Sequence, residues 1–343
     1  MNTEFHYYMT HLIAAGAGLP AEDARILAWS SQYTDDNDTI FVIDPDLPTQ
    51  YGNYISQTLN ILYPRDTLMR IYPLFHFIPG DPTAASAWRK DGGMHWLNTT
   101  PDSENANLVL DAALAAGSLY RIGIACHGYA DTWAHQNFVG YYHDFNTMTN
   151  PLAAAFPNVG HAQATHDPDR AALIWHDERL IRERIDNKAR CLAAARGMLR
   201  KLAPYADPMM TQKEIQQREA TLTADLDRCI GPNDPDNVHE NERIDRYCEL
   251  ADAPEYGGRQ MAPYDARQWM DEAVDTAVRG LHDRGDFPLA RWDPLKDLYR
   301  WKDRDHYKQT NWHRFQEAVK AHQDETWAIL ENRSFQGLEL ENL

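Results

Sequence analysis

With 343 residues, 43% of them hydrophobic and 24% charged, the chain is long enough to bury a sizeable core and has the composition of a soluble globular protein. A net charge of −18, from 33 Lys and Arg against 51 Asp and Glu, excludes a basic surface that grips phosphate backbones. It leaves open an enzyme that handles phosphates through bound cations, and the lack of any long apolar run excludes a transmembrane segment.

The first twenty residues, MNTEFHYYMTHLIAAGAGLP, lack a basic stretch and do not read as a secretory signal. A cytoplasmic chain is expected, or one exported without a cleaved signal. Residues 4–17 predict a helix closed by Gly16 and Gly18. After Pro20, the recurrence of Ala24, Leu27, Ala28 and Ser31 predicts a second helix ending near Asp35 and Asp36. Two partly alternating runs around a Pro-Arg-Asp turn predict a β-hairpin near residues 53–77. IPGDPTAASAWRKDGG is loop, and SENANLVLDAALAAG and LYRIGIACHGYADTWAHQNF are helical, the second of them buried. A loop to residue 169 leads into one long helical run, AALIWHDERLIRERIDNKARCLAAARGMLRKL. Further helices are expected near 212–227, 265–281 and 294–332, the last amphipathic and rich in tryptophan. The polar loop GPNDPDNVHEN divides a helical metal-binding catalytic domain, 1–230, from a helical extension, 231–343, that packs on it or acts as a lid.

Cys126 and Cys191 sit in apolar helical patterns as buried thiols, whereas Cys229 and Cys248 flank the polar loop and could pair in an oxidising compartment. Of the 15 histidines, those after residue 230 show no ligand spacing. The stretch CHGYADTWAHQNF is different: it sets His127, Asp131 and His135 four residues apart on one helix face. Polar groups in an apolar helix must find partners, and one metal site satisfies all three, with a hydrogen-bonded His–Asp network as the alternative. Imidazole nitrogen and carboxylate oxygen both suit zinc. Further candidates come from FHYYMTH (His6, His11), SQYTDDND (Asp35, Asp36), PLFHFIPGD (His76) and VGHAQATHDPD (His161, Asp167, Asp169).

In chain order these segments resemble the zinc-dependent phospholipase C and P1 nuclease superfamily, helical proteins whose three-zinc cluster hydrolyses phosphate esters. The resemblance implies a mainly α, multi-helix bundle, here with a small β-hairpin insertion. It implies His6 or His11 as the first histidine, Asp35 or Asp36 as the early bridging or basic aspartate, and His76 before a Phe-rich turn. His127 and Asp131 fill the HxxxD helix, His135 follows, and His161 with Asp169 or Asp167 stands for the last pair. The segments FHYY, SQYxDD, FHFxPG, YADTxAHQxFxG and GHxxxxxPD also resemble an uncharacterised bacterial family, and the likeness covers about residues 4–190. The superfamily's mature chain opens on a tryptophan whose amine and carbonyl bind zinc, and that tryptophan is missing here. One to three ions are expected, zinc first, with manganese, iron or nickel also suited.

The expected function is hydrolysis of a small-molecule or lipid phosphoester, with Asp35, Asp36 and Asp131 as catalytic carboxylates, inside the cell or as an exported toxin. An HD-type phosphohydrolase built on His166-Asp167 or His176-Asp177 is one alternative, and a non-catalytic protein with a structural metal is the other. Phosphate-loop, GxSxG and HExxH motifs are missing, and no protein partner is indicated.

Overall fold

The opening helical pattern folds as one continuous segment, π-helical over Glu4–Met9 and α-helical over Thr10–Ala17 (α1), and Gly18 ends it at φ +112°. A computed structural model describes residues 1–58, 68–148, 156–277 and 298–336 of the chain. The fold is mainly α. After α1 come α2 (Ala21–Asp36), the short strands β1 (Val42–Ile43) and β2 (Tyr51–Gly52), and a single turn, α3 (Tyr72–Phe75). The helices α4 (Glu104–Ala116) and α5 (Leu119–Ala134) follow. The Ser103 hydroxyl caps α4 by accepting the Ala106 N–H. Strands β3 (Ile174–His176) and β4 (Arg184–Asp186) precede α6 (Asn187–Ala206), α7 (Gln212–Ile230) and α8 (Glu240–Ala251). The chain closes with α9 (Gln268–Ala273), β5 (Val274–Ala277), β6 (Leu298–Trp301) and α10 (Asn311–Glu331).

Three sequence expectations are corrected. The hairpin near 53–77 is not formed among the described residues: its second arm is helical, with Pro73 in the first turn of α3, where a missing N–H is harmless. Residues 59–67 of that expectation lie outside the described residues. The long run from residue 171 begins instead with the β3–β4 hairpin, in which buried Trp175 faces buried Ile185. Its turn is fixed by Asp177, whose carboxylate accepts from both the backbone and the guanidinium of Arg179. Finally, the expected helices at 265–281 and 294–332 each give up one end to a strand, and residues 278–281 and 294–297 lie outside the described residues. The strands join in the order β2-β1-β6-β5, with β1 and β6 parallel through Ile43 and Tyr299.

The centre of the bundle is α5, buried at every residue from Tyr120 to Ala134 and packed by α2, α4, α6 and α10. Two glycines allow backbones to approach it. A Cβ on Gly123 would lie 2.3 Å from the Leu27 carbonyl oxygen, and one on Gly128 would lie 2.8 Å from that of Phe75. These contacts bring the end of α2 and the residue after α3 onto the face of α5 that carries His127 and Asp131. All four cysteines are free thiols. No helix among the described residues is long and apolar enough to cross a membrane.

Candidate metal centre

Asp131, in the last turn of α5, has its carboxylate at the centre of a ring of nitrogen atoms. Oδ1 lies 3.1 Å from His6 Nε2, and Oδ2 lies 3.1 Å from His127 Nε2 and 3.4 Å from His76 Nδ1. His135 caps the C-terminus of α5, with Nδ1 3.5 Å from the same Oδ2. Asp35, at the end of α2, places Oδ1 3.6 Å from both His76 Nδ1 and His127 Nε2. On the far side, Asp169 lies 3.3 Å from His135 Nε2 and 3.6 Å from His161 Nε2. The α-amine of Met1 reaches Asp131 at 2.5 Å and Asp169 at 3.3 Å, a neighbour that no sequence motif marks.

The hydrogen bonds decide which ring nitrogens carry protons. His127 Nδ1 donates to the Ser31 carbonyl at 2.8 Å and His76 Nε2 to that of Ser56 at 2.9 Å. His135 Nδ1 donates to the His76 carbonyl at 2.8 Å, and His161 Nδ1 to that of Thr165 at 3.0 Å. A carbonyl only accepts, so in each neutral ring the inward nitrogen is a bare lone pair. Yet His127 Nε2 and His76 Nδ1 lie 2.9 Å apart, and both face carboxylates. Lone pairs so arranged repel unless a proton or a metal cation lies between them. Among the described residues no Lys or Arg pairs with Asp35, Asp131 or Asp169, and the Met1 ammonium is the cation that meets Asp131 and Asp169. The donors fall into three groups compact enough to hold an ion: His6, His127 and Asp131; Asp35, His76 and His127; His135, His161 and Asp169. Buried His and Asp groups of this kind could bind metal ions.

The charges agree with that geometry. Burial opposes ionisation of Asp131, but His135, the Met1 ammonium, His127 and His6 hold its carboxyl well below the usual carboxylate range. Asp169 is likewise lowered, burial being outweighed by His161 and the ammonium. His6 is pushed down to about 3, by burial first and His127 next. Burial would lower His127 too, but Asp131 and Asp35 raise it on balance. The Met1 amine, despite burial, is raised to about 11 by Asp131, Asp169 and Asp35.

A family described as being of unknown function, DUF6765, matches residues 1–330, which include every residue of this cluster. The chain belongs to the DUF6765 family. Searches of the curated proteins and of the solved structures gave no match. In this DUF6765 chain the remaining sequence candidates lie apart from the cluster. His11 is buried on α1 with neither ring nitrogen partnered among the described residues. Asp36 turns away from the histidines, accepting from the Tyr264 hydroxyl at 2.6 Å and from Gln32. Asp167 belongs to none of the three groups, and its neighbour His166 is exposed. In the second HD pair, His176 is exposed and Asp177 is held by Arg179 at 2.7 Å.

Proposed function

We propose that this DUF6765 chain is a metal-dependent hydrolase of small-molecule or lipid phosphoesters, with up to three divalent cations, zinc foremost. The observation that carries the reading is the set of inward-facing bare nitrogens, fixed by backbone carbonyls and interleaved with carboxylates. Its chain order resembles that of the zinc-dependent phospholipase C and P1 nuclease superfamily. Asp35, His76 and His127 would hold one ion and His135, His161 and Asp169 a second; His6 and Asp131 would hold a third, or share His127 in place of the first, since His127 offers one free nitrogen. Divalent ions there supply Lewis acidity and acidify water toward neutral pH.

The protein's own groups then divide the work. Asp131 is sealed from solvent, so it would hold and orient an ion rather than exchange protons with bulk water. Asp35 and His161, at opposite ends of the cluster, keep 26% and 20% of their side-chain surface exposed, so a substrate would approach past one or other of them. With Oδ1 of Asp35 turned toward the histidines, Oδ2 accepts the proton of the attacking water. A net charge of −18 disfavours long polyanions, which favours a substrate with one or two phosphoryl charges.

Turnover of a chromogenic phosphodiester and of phosphatidylcholine, measured with and without chelator, tests the proposal. Activity should vanish with chelator, return with zinc, and fall by about a hundredfold or more in Asp131→Asn. Turnover that survives both treatments would refute this site.

A further inference from the structure

Four of the five clustered histidines are pinned from behind by a backbone carbonyl, but His6 is not. Its Nδ1 is buried and has no partner among the described residues. Its ring lies on His127 with centroids 3.8 Å apart, a contact that tolerates sliding. His6 must therefore be placed by its backbone, and that backbone is gripped from the far end of the chain. Glu4, two residues earlier in the π-helical segment, is fully buried. Both its oxygens accept from Arg243 Nε, at 3.0 and 3.1 Å, and Oε1 also accepts from the Tyr247 hydroxyl at 2.9 Å. Arg243, only 1% exposed, donates onward from Nη1 to Asp234 at 2.7 Å and from Nη2 to Asn237. Asp234 is itself fixed by the N–H groups of Val238 and His239. Asn2, whose carbonyl accepts from the N–H groups of Phe5 and His6, donates its side-chain amide to Glu240.

We propose that Arg243, through Glu4, is a positioning residue that sets His6 against Asp131, so that α8 controls occupancy of the His6–His127–Asp131 group. The proposal rests on the metal reading above. A buried ion pair is a poor source of stability but a strict constraint on geometry. Here the constraint falls on the one clustered histidine with no backbone carbonyl behind it. From this π-helical segment Glu4 meets α8 and His6, two residues on, meets α5, and π-helical turns are frequent at functional sites.

The test is a cobalt(II) titration of the full-length, metal-stripped chain, followed by visible absorption, with near-ultraviolet circular dichroism to confirm folding. The His6→Ala variant identifies the uptake step that belongs to His6. The neutral set Glu4→Gln/Asp234→Asn/Arg243→Met, which removes both carboxylates along with the guanidinium that pairs them, should weaken that same step by about tenfold or more and spare the others. Combined with His6→Ala, it should add nothing. Arg243→Lys, which keeps the charge but loses the planar fork, should weaken the step to a smaller extent. Unchanged titrations, or equal weakening of every step, would overturn the proposal. A wild-type chain that takes up no cobalt would instead refute the metal reading beneath it.

Discussion

At the scale of single residues, the chain separates two kinds of buried histidine. Those around Asp131 face carboxylates and bare nitrogens, whereas His11 and His322 are buried with no carboxylate against their rings. Burial, aided by Arg25, pushes His11 down to about 4, and burial with Arg121 pushes His322 down to about 3. Both rings are neutral in the fold, while the unfolded chain takes up a proton on each below about pH 6.5. The unfolded state binds more protons in that window, so stability is complete above pH 6.5 and is lost as the pH falls toward the folded values. The loss is about 2 kcal/mol per ring at pH 5. Melting of metal-stripped protein at pH 7.5 and pH 5 should show a smaller acid shift for His322→Leu than for the parent; equal shifts would show that this ring is not held neutral. From sequence alone, His11 was as good a candidate ligand as His6. Five positions separate them, which on a helix turns the two rings to different faces, and only packing decides that the face of His6 is the one that meets Asp131.

Elements with a strong apolar period, such as α2 and α5, were legible in the sequence, and so was the face of α5 that carries His127 and Asp131. The β3–β4 hairpin was not. Its residues are largely good helix formers, and the pairing of Trp175 with Ile185 together with the Asp177–Arg179 turn overrides local preference. The charged helix α8 follows the polar loop after Cys229, and its stripe of Ile244, Tyr247, Cys248 and Ala251 spans only two turns set among charged residues, a short signal beside that loop. Contact between α2 and α5 depends on Gly123 having no side chain, because the nearest atom is a backbone oxygen that cannot move aside. Gly123→Ala should destabilise the fold by about 1–3 kcal/mol and weaken metal binding by parting Asp35 from His127. A variant that melts and binds metal like the parent would show that this close approach does not set the site.

For the molecule as a whole, the candidate centre gathers the chain's start, the ends of α2 and α5, the residue after α3, and the loop before β3. The sequence supplied its parts because each arrives in a short motif. It could not supply the grip of Arg243 on Glu4, whose partners stand 239 positions apart with no periodic signal between them. Ions held at the centre would bind the folded chain and not the unfolded one, so they would cross-link the bundle by linkage. The most direct test is the metal content of full-length protein purified without an affinity tag, with melting measured before and after chelation. About two or three equivalents of a transition metal are expected, with a fall in melting temperature of roughly 5 °C or more on chelation. Protein that carries no transition metal and melts at the same temperature with chelator would contradict the account.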